Sequence, residues 1–463
     1  MVIAKFSIES NKKIPSLALF FRGVKHKIKF RNIVFGKGRD MTQERLREGA
    51  KAFAKKVFDD IREFSRDPVV GISRQGYGPL ENQAHEYLKN IARELDLEIK
   101  VDRCGNLFLT LPGKDRSLPC YMTGSHADSV PQGGHYDGLA GVVAAITTLW
   151  WMRKIGFQPK RDVTMVVFRM EESSWFGKAY VGSLAMAGQL TREDLALKHR
   201  NKDQTLAEAI REAGFDPEDM VKTEPSIDFS KIAAFTELHI EQGPTLDSQD
   251  KARVGIVTGI RGNLRHKTCR CIGQTAHSGA VDKQYRHDAV MAMAEMLHRM
   301  EKHWAEWLVR GEDLVFTVGV FKTAPSSAIA IIPGEVSFSV DMRSLSMDTL
   351  DRFHKLLVAE CDAVGADRGV HFQFDRTLVC KAADVDKKLF NHLKDAAQKA
   401  GIDVMDIPSG AGHDSAVMAD MGVPVTMIFV ANQDGSHNAN EKMKLEDFML
   451  GTEVLFTSIA TYD

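Results

Sequence analysis

The sequence predicts an α/β fold in which a large sheet with helices on both faces is interrupted by a smaller, inserted ferredoxin-like α+β domain. Apolar strand-like runs alternate with amphipathic helical patterns up to residue 253, which is typical of such a sheet. The order β-α-β-β-α-β follows over residues 254–380 and is typical of a ferredoxin-like module. The alternation then resumes. The 463-residue chain therefore divides into one domain of residues 41–253 and 381–463 and an inserted domain of residues 254–380.

Hydrophobic periodicity assigns the elements of the larger domain. Apolar residues at three- and four-residue steps predict a helix over 44–64, and Pro79 suits the first turn of a second helix. Further helices are predicted at Gly141–Trp151 and Lys387–Ala400. Short apolar runs predict the strands, which are Leu107–Leu111, Cys120–Thr123, Val163–Arg169, Ile232–Leu238 and Val423–Phe429.

The inserted domain is predicted from shorter elements. Helices are expected at Asp288–Met300 and Met347–Val364. On the predicted strand Val336–Arg343, alternate residues are apolar, so the polar residues between them, which end in Arg343, share the opposite face. The other strands predicted here are Val254–Thr258, Thr268–Gly273, Leu314–Phe321 and Val370–Phe374.

Residues 1–40 differ in charge from the rest of the chain. They carry ten Lys or Arg residues against only Glu9 and Asp40. The apolar run Ile14–Phe21 has basic residues on both sides and no small-residue cleavage site after it, unlike a secretory signal. We expect either that translation naturally begins at Met41 or that residues 1–40 form a poorly packed, disordered extension.

The composition of the whole chain excludes several classes of protein. Lys and Arg total 61 against 62 Asp and Glu, and this net charge of -1 argues against nucleic-acid partners and a membrane-binding surface. No apolar run approaches the roughly 20 residues of a membrane helix. Six cysteines without a CxxC pair predict buried thiols in a protein of the reducing cytoplasm.

Histidines and carboxylates follow the predicted strands of the larger domain, where α/β sheets usually bind ligands. Mixed nitrogen and oxygen donors of this kind suit Zn, Mn, Co or Ni. Asp128, two residues after His126, is expected to accept a hydrogen bond from the imidazole and so to fix its tautomer. The candidate residues are His126, Asp128, Asp137, Glu171, Glu172, His239 and His437.

Five segments carry a resemblance to a known family, and they are specific jointly rather than singly. From about residue 58 to 463 the chain resembles the metal-dependent amidohydrolase branch of the aminoacylase and carboxypeptidase-like metallopeptidase superfamily. It is most similar there to N-carbamoyl-L-amino-acid hydrolases, allantoate amidohydrolases and bacterial-type β-ureidopropionases. His239 points to this branch over the peptidase branches. The segments are Gly124–Asp128, Gly133–Gly138, Glu237–Pro244, Ser409–Ser415 and Ser436–Glu441.

The resemblance implies two divalent metal ions in each subunit, with Zn, Mn, Co and Ni as the candidates. Asp137 would bridge the two ions, His126 and His239 would hold one, and Glu172 and His437 would hold the other. Two metals roughly 3.5–4 Å apart lower the pKa of a bridging water and stabilise a developing oxyanion.

The resemblance also implies two catalytic residues outside the ligand set. Glu171 would be the general base that takes the proton of the water and passes it to the leaving nitrogen. His277 would reach the site of a neighbouring subunit and stabilise the tetrahedral oxyanion there. The inserted domain would therefore serve as a lid and as the dimerisation surface of a homodimer.

Further residues are expected to contact the substrate. Arg343, at the end of its strand, is well shaped to bind a carboxylate through two hydrogen bonds, and the family uses the matching residue in this way. The alternative for Arg343 is a surface ion pair with Asp341. Gln242, Gly412 and His413 match other substrate-contacting positions of the family.

Three departures from the family pattern concern the substrate. Ala330 stands where the family usually has an Asn that helps to hold the carboxylate, and Ala280–Lys283 replaces the usual segment after the lid histidine. Trp175 replaces an Arg and is expected either to form an aromatic wall for a larger substrate or simply to pack in the core. The acid end of the substrate is therefore held differently, or it is not a simple α-carboxylate.

The leading hypothesis is a metal-dependent hydrolase of a non-peptide C–N bond. It would cleave an N-carbamoyl amino acid or a related ureido acid to the amino acid, CO2 and ammonia. The alternative on the same scaffold is an N-acyl-amino-acid amidase or a dipeptidase-like hydrolase. A non-catalytic binding protein would have lost a metal ligand or the base, and none is lost in this sequence.

Overall fold

The computed structural model describes residues 41–463, and the predicted extension 1–40 lies outside the described residues. The described chain forms a nine-stranded sheet, a six-stranded sheet and a two-stranded pair. This arrangement confirms the predicted α/β fold with an inserted α+β domain. Among the helices of residues 41–463, none is long and apolar enough to cross a membrane.

The strands belong to two domains, which we call the large and the small domain after their sheets. The nine strands of the large domain are β1 Glu98–Val101, β2 Leu107–Leu111, β3 Cys120–His126, β4 Val163–Phe168, β5 Ile232–Ile240, β6 Val254–Ile260, β15 Ala383–Asp384, β16 Val404–Ser409 and β17 Val425–Val430. The strands of the small domain are β7 Gly262–Ile272, β8 Ala276–His277, β9 Val315–Thr317, β10 Phe321–Thr323, β11 Ile331–Ile332, β12 Glu335–Ser344, β13 His371–Gln373 and β14 Leu378–Cys380.

The order of the large sheet places four parallel strands side by side. The order is β1-β2-β4-β3-β5-β17-β6-β15, with β16 beside β6. The strands β4, β3, β5 and β17 run parallel to one another, so that their carboxyl ends lie along one edge. The residues of β4 and β17 are buried throughout, as expected for strands that are covered on both faces.

Helices cover both sheets. In chain order they are α1 Met41–Ser65, α2 Pro79–Glu94, α3 Leu139–Ile155, α4 Val181–Met186, α5 Arg192–Leu195, α6 Leu206–Glu212, α7 Pro217–Met220, α8 Ala289–Val309, α9 Met347–Arg368, α10 Lys387–Ala400, α11 Asp414–Asp420 and α12 Leu445–Thr461. The apolar helix α3 packs on β3 and β5 and is itself covered by α1 and α12, which explains its nearly complete burial. The helices α8 and α9 pack on the small sheet, and the apolar residues of β12 are buried against them in strict alternation.

Three predicted strands differ from the structure. The sequence predicts that the strand Val254–Thr258 begins the small domain. In the structure this segment belongs to β6, which pairs with β16 and β17 of the large sheet. The small sheet therefore begins at Gly262, not at residue 254. The run Leu314–Phe321 contains β9 but only the first residue of the separate strand β10, and Thr268–Gly273 covers only the end of the long strand β7. A short apolar run does not reveal which sheet it joins, because strand pairing is decided by contacts distant in sequence.

Candidate active site with two metal-binding groups

The predicted site residues converge at the carboxyl edge of the parallel strands. His126 is the last residue of β3, and His239 is the penultimate residue of β5. Glu171 and Glu172 follow the end of β4, and His437 lies in the loop after β17. Because these strands are parallel neighbours, four distant stretches of sequence meet in one place.

Asp137 lies between two groups of possible metal ligands. Its Oδ1 is 3.2 Å from Nε2 of His239 and 3.7 Å from Nε2 of His126. Its Oδ2 is 3.4 Å from Nε2 of His437, and that nitrogen is 3.2 Å from Oε1 of Glu172. Within each group of three residues, the ligand atoms lie within 4.8 Å of one another. The two oxygens of one carboxylate thus face different groups.

The charge and burial of this region fit divalent cations. Asp137, Glu171 and Glu172 are all buried, and buried carboxylates this close need compensating positive charge. Burial raises the pKa of Glu171 well above its usual range, with His126 opposing and Glu172 adding to the effect. Imidazole nitrogen and carboxylate oxygen together are donors that Zn, Mn, Co and Ni accept. The residues therefore fit a pair of such ions.

Neighbouring carboxylates raise the pKa of two histidines of the site. Burial acts to lower the pKa of His126, but the hydrogen bond to Asp128 helps to raise it well above its usual range. Hydrogen bonds with Asp137 and Glu172 raise the pKa of His437 to about 11. The site therefore favours positive charge at the positions where metal ions would bind.

Asp128 holds both the imidazole and the turn that carries the two glutamates. Its Oδ1 is 3.1 Å from Nδ1 of His126, which is the contact expected from their spacing. The backbone N–H of Glu171 donates to the same oxygen at 3.0 Å, and the N–H of Glu172 donates to Oδ2 at 3.1 Å. One buried carboxylate therefore fixes a predicted metal ligand relative to the predicted base.

Four non-glycine residues in or beside the site have a left-handed backbone conformation. A left-handed conformation is costly for residues other than glycine and persists where the surroundings enforce it. At Gly138, which also has a positive φ, an added Cβ would lie 2.3 Å from the ring of His126, so only glycine fits there. The non-glycine residues of the site with φ between 46° and 65° are Met170, Tyr180, Gln242 and His437.

Glu441 and Ser436 support Asp137, and the sequence interpretation did not single them out. Oε1 of Glu441 accepts hydrogen bonds from the backbone N–H groups of Tyr136 at 2.7 Å and Asp137 at 3.2 Å. The hydroxyl of Ser436 donates to Asp137 and, at 3.0 Å, to Glu441. Burial raises the pKa of Glu441 to about 7. Their only sequence signal is that they begin and end the segment Ser436–Glu441.

A buried ion pair supports the turn before Glu171, and it also was not predicted. Glu81 of α2 is 2.8 Å from the guanidinium of Arg169 at the end of β4. Its second oxygen accepts from the backbone N–H of Met170 at 3.0 Å. Glu81 and Arg169 are both buried. The pair therefore holds the strained residue that directly precedes Glu171.

Three residues predicted to contact the substrate lie beside the two groups of possible metal ligands. Nε2 of Gln242 donates to Oδ2 of Asp137 at 2.8 Å. The centroid of the buried His413 ring is 4.5 Å from that of His239, and burial lowers the pKa of His413 well below its usual range. At Gly412, an added Cβ would lie 2.0 Å from the hydroxyl of Tyr180, which therefore fills the space beside this glycine.

Within residues 41–463, the candidate residues of the small domain belong to neither group of possible metal ligands around Asp137. His277 is exposed, and its Nδ1 accepts a hydrogen bond from the backbone N–H of Gly279 at 3.1 Å. Arg343 is paired with Asp341 at 2.8 Å, which is the alternative contact considered above. Its other nitrogen donates to the carbonyl of Gly410 in the large domain at 2.7 Å. Within residues 41–463, Arg343 thus bridges the two domains close to the predicted subsite at Gly412.

Trp175 packs in a core and does not form an aromatic wall. Its side chain is buried in a cluster of the large domain, and its Nε1 donates to the carbonyl of Ser129 at 2.7 Å. The indole also packs against His199, with ring centroids 5.6 Å apart. The structure therefore favours the packing interpretation. Ala330 lies beside the His277 loop, where its carbonyl accepts from the N–H of Ser278 at 2.9 Å.

Known proteins resemble this chain in sequence and in fold. Residues 122–461 match the family described as peptidase family M20/M25/M40. A ureidoglycolate hydrolase from Oryza sativa subsp. japonica is 33% identical over 410 residues, covering 87% of this chain and 82% of that protein. An N-carbamoyl-L-amino-acid amidohydrolase from Pseudomonas sp. (strain NS671) is 31% identical over 405 residues, covering 87% and 95%. The crystal structure of an amidase of the hydantoinase/carbamoylase family from Burkholderia multivorans has a TM-score of 0.81 at 27% identity, covering 89% and 97%.

Proposed function

Because the chain belongs to peptidase family M20/M25/M40, we propose that it cleaves an N-carbamoyl amino acid or a related ureido acid to the amino acid, CO2 and ammonia. The chain is an amidohydrolase, and relatives named for carbamoyl and ureido substrates match most of its length. The observation that carries the proposal is Asp137, whose two oxygens face two separate groups of nitrogen and oxygen donors.

The proposed cofactor is a pair of divalent ions, Zn, Mn, Co or Ni. Asp137 would bind both, His126 and His239 would complete one group, and Glu172 and His437 would complete the other. When bound, such a pair supplies an acidic water and a positive environment for the oxyanion.

Glu171 is the proposed general base because it is buried at the site but belongs to neither group of ligands. Its Oε2 lies 3.9 Å from Nε2 of His126. Burial raises the pKa of this carboxyl well above its usual range, which suits a group that gains and then gives up a proton. Glu171 takes a proton from the water that adds to the carbamoyl carbon and gives it to the leaving amino nitrogen. The C–N bond then breaks, and the carbamic acid decomposes to CO2 and ammonia.

We assign the substrate's acid end to Arg343, together with Gln242, Gly412 and His413. Arg343 would exchange its ion pair with Asp341 for the substrate carboxylate, and its contact with Gly410 already brings it to the large domain. His277 would act in the site of a second subunit, in a homodimer formed through the small domain. Because the cysteines of the described chain are free, we place the protein in the cytoplasm.

The test is release of ammonia by chelator-dialysed protein, with and without added Mn, Zn, Co or Ni. The panel comprises N-carbamoyl-L-amino acids, N-carbamoyl-β-alanine and allantoate, with N-acetyl amino acids and dipeptides as alternative substrates. We expect metal-restored release of ammonia from at least one carbamoyl or ureido substrate. Cleavage of only the acyl or dipeptide substrates would instead support the N-acyl amidase or dipeptidase-like function, since neither reaction liberates ammonia.

A further inference from the structure

A second group of possible metal ligands lies inside the small domain, and the proposed function does not use it. His266 and Cys269 on β7 are buried, and Asp375, which follows β13, is half-buried. One ligand atom from each of the three residues lies within 4.8 Å of the other two. Imidazole nitrogen, thiolate sulfur and carboxylate oxygen are the three donor types that bind Zn in proteins.

A β-bulge creates this arrangement. His266 and Cys269 are three residues apart on β7, but their partners on β12 are only two residues apart. The extra residue turns both side chains to the same buried face of the sheet, which regular alternation would not allow. The backbone N–H groups of the two intervening residues donate to Oδ2 of Asp375 at 3.2 and 3.1 Å. The bulge thus positions all three potential ligands.

The imidazole of His266 is oriented from its far side, as metal-binding histidines commonly are. Its Nε2 is 2.9 Å from Nε2 of His354 on α9. When Nε2–H donates to His354, the lone pair of Nδ1 faces Oδ1 of Asp375 at 3.2 Å and the carbonyl of the same residue at 3.0 Å. In that tautomer the lone pairs of Nδ1 and of the two Asp375 oxygens converge, and a bound cation would satisfy them. His126 likewise has a partner on its far ring nitrogen, since its Nδ1 contacts Asp128 while its Nε2 faces Asp137.

We propose that His266, Cys269 and Asp375 bind a transition-metal ion of the zinc type, separate from the two ions of the proposed active site. The thiol of Cys269 loses its proton to solvent when the sulfur binds the metal. The half-exposed Asp375 provides access for the ion and leaves room for a water as the fourth ligand. The bound ion would join β7 to the segment that follows β13 and so stabilise the small domain.

Cobalt(II) tests the proposal by a signal that the active site does not produce. A Co–thiolate bond gives a charge-transfer absorption in the near ultraviolet, and neither group around Asp137 contains sulfur. We expect chelator-dialysed protein to gain this band when Co(II) is added, and Cys269→Ser to lose both the band and one bound ion per chain. The matched control is Cys271→Ser, because Cys271 is equally buried on the same strand but belongs to no ligand group of the described residues.

Failure of the proposed function can be distinguished from failure of the proposed metal site at Cys269. Asp137→Ala is expected to abolish release of ammonia but to retain the thiolate band, whereas Cys269→Ser is expected to lose the band and to retain activity. Absence of the band in wild-type protein with excess Co(II) would overturn the proposal, and so would a band that survives in Cys269→Ser. The hydrogen-bonded pair of His266 and His354 would then serve only to pack α9 against β7.

Discussion

The large domain holds its part of the site ready within one chain, whereas the small domain does not. Around Asp137, the ligands and Glu171 are fixed by further buried groups such as Asp128. In the small domain, His277 is exposed and Arg343 is neutralised by Asp341. Under the proposed function, the chemistry would be preorganised in the large domain, whereas the substrate-binding residues of the small domain are exposed or have other partners.

Removal of the base is expected to have the largest effect and to leave substrate binding intact. Glu171→Gln keeps the shape of the side chain but cannot accept the proton of the water, so we expect kcat to fall by about 10²–10⁴-fold with little change in KM. Steady-state release of ammonia measures both constants. The control is Glu193→Gln on the exposed surface, and an equal fall in that variant would remove the specific role of Glu171.

The buried ion pair of Glu81 and Arg169 is expected to contribute to the stability of the fold rather than directly to catalysis. Glu81→Ala leaves Arg169 charged and buried, which we expect to cost about 3–5 kcal/mol in the free energy of unfolding. Urea unfolding of the metal-free protein measures it. Glu86→Ala, on the exposed face of the same helix, is expected to change stability by less than about 0.5 kcal/mol. Equal effects in the two variants would contradict the supporting role of the pair.

Changes in the small domain should alter KM more than kcat. Arg343→Lys loses the planar pair of donors, and the loss of a charged hydrogen bond of about 1.5–3 kcal/mol corresponds to a KM raised about 10- to 100-fold. Asp341→Asn weakens the ion pair that competes with the substrate and is expected to lower KM. If both variants left KM unchanged, Arg343 would be only the surface ion pair considered in the sequence analysis.

How much of this site is predictable depends on the range of the interactions. The contact of His126 with Asp128 was anticipated because two residues at a strand end are local neighbours. The burial of alternate residues on β12 was anticipated because a strand has a period of two. The sequence did not predict which sheet β6 joins, because its partners β16 and β17 lie far along the chain.

The supporting residues escaped prediction for the same reason. Glu81 meets Arg169 across 88 positions of sequence, and Glu441 meets Asp137 across 304. Nothing in their local sequence distinguishes them from surface carboxylates, which are much commoner. Trp175 shows the converse, because its departure from the family pattern left a substrate contact and core packing open, and only the fold places it in a core cluster.

Acid is expected to destabilise the large domain through two buried histidine rings. Burial holds the pKa of His85 and of His135 well below the usual range. Below about pH 6.5 the unfolded chain binds protons at these positions and the folded chain does not. Stability is therefore full above that pH and falls, as the pH decreases, by up to about 1.4 kcal/mol per unit for each ring. Urea unfolding at several pH values should show a shallower pH dependence of stability in His85→Gln, and an unchanged dependence in that variant would contradict this account.

The proposed metal centre is tested most directly by titrating chelator-dialysed protein with Mn²⁺ while both bound metal and ammonia release are measured. The account predicts no release without metal, release that rises as the two groups around Asp137 fill, and no recovery in Asp137→Ala at any metal concentration. Ammonia release by metal-free protein, or full activity in Asp137→Ala, would contradict it.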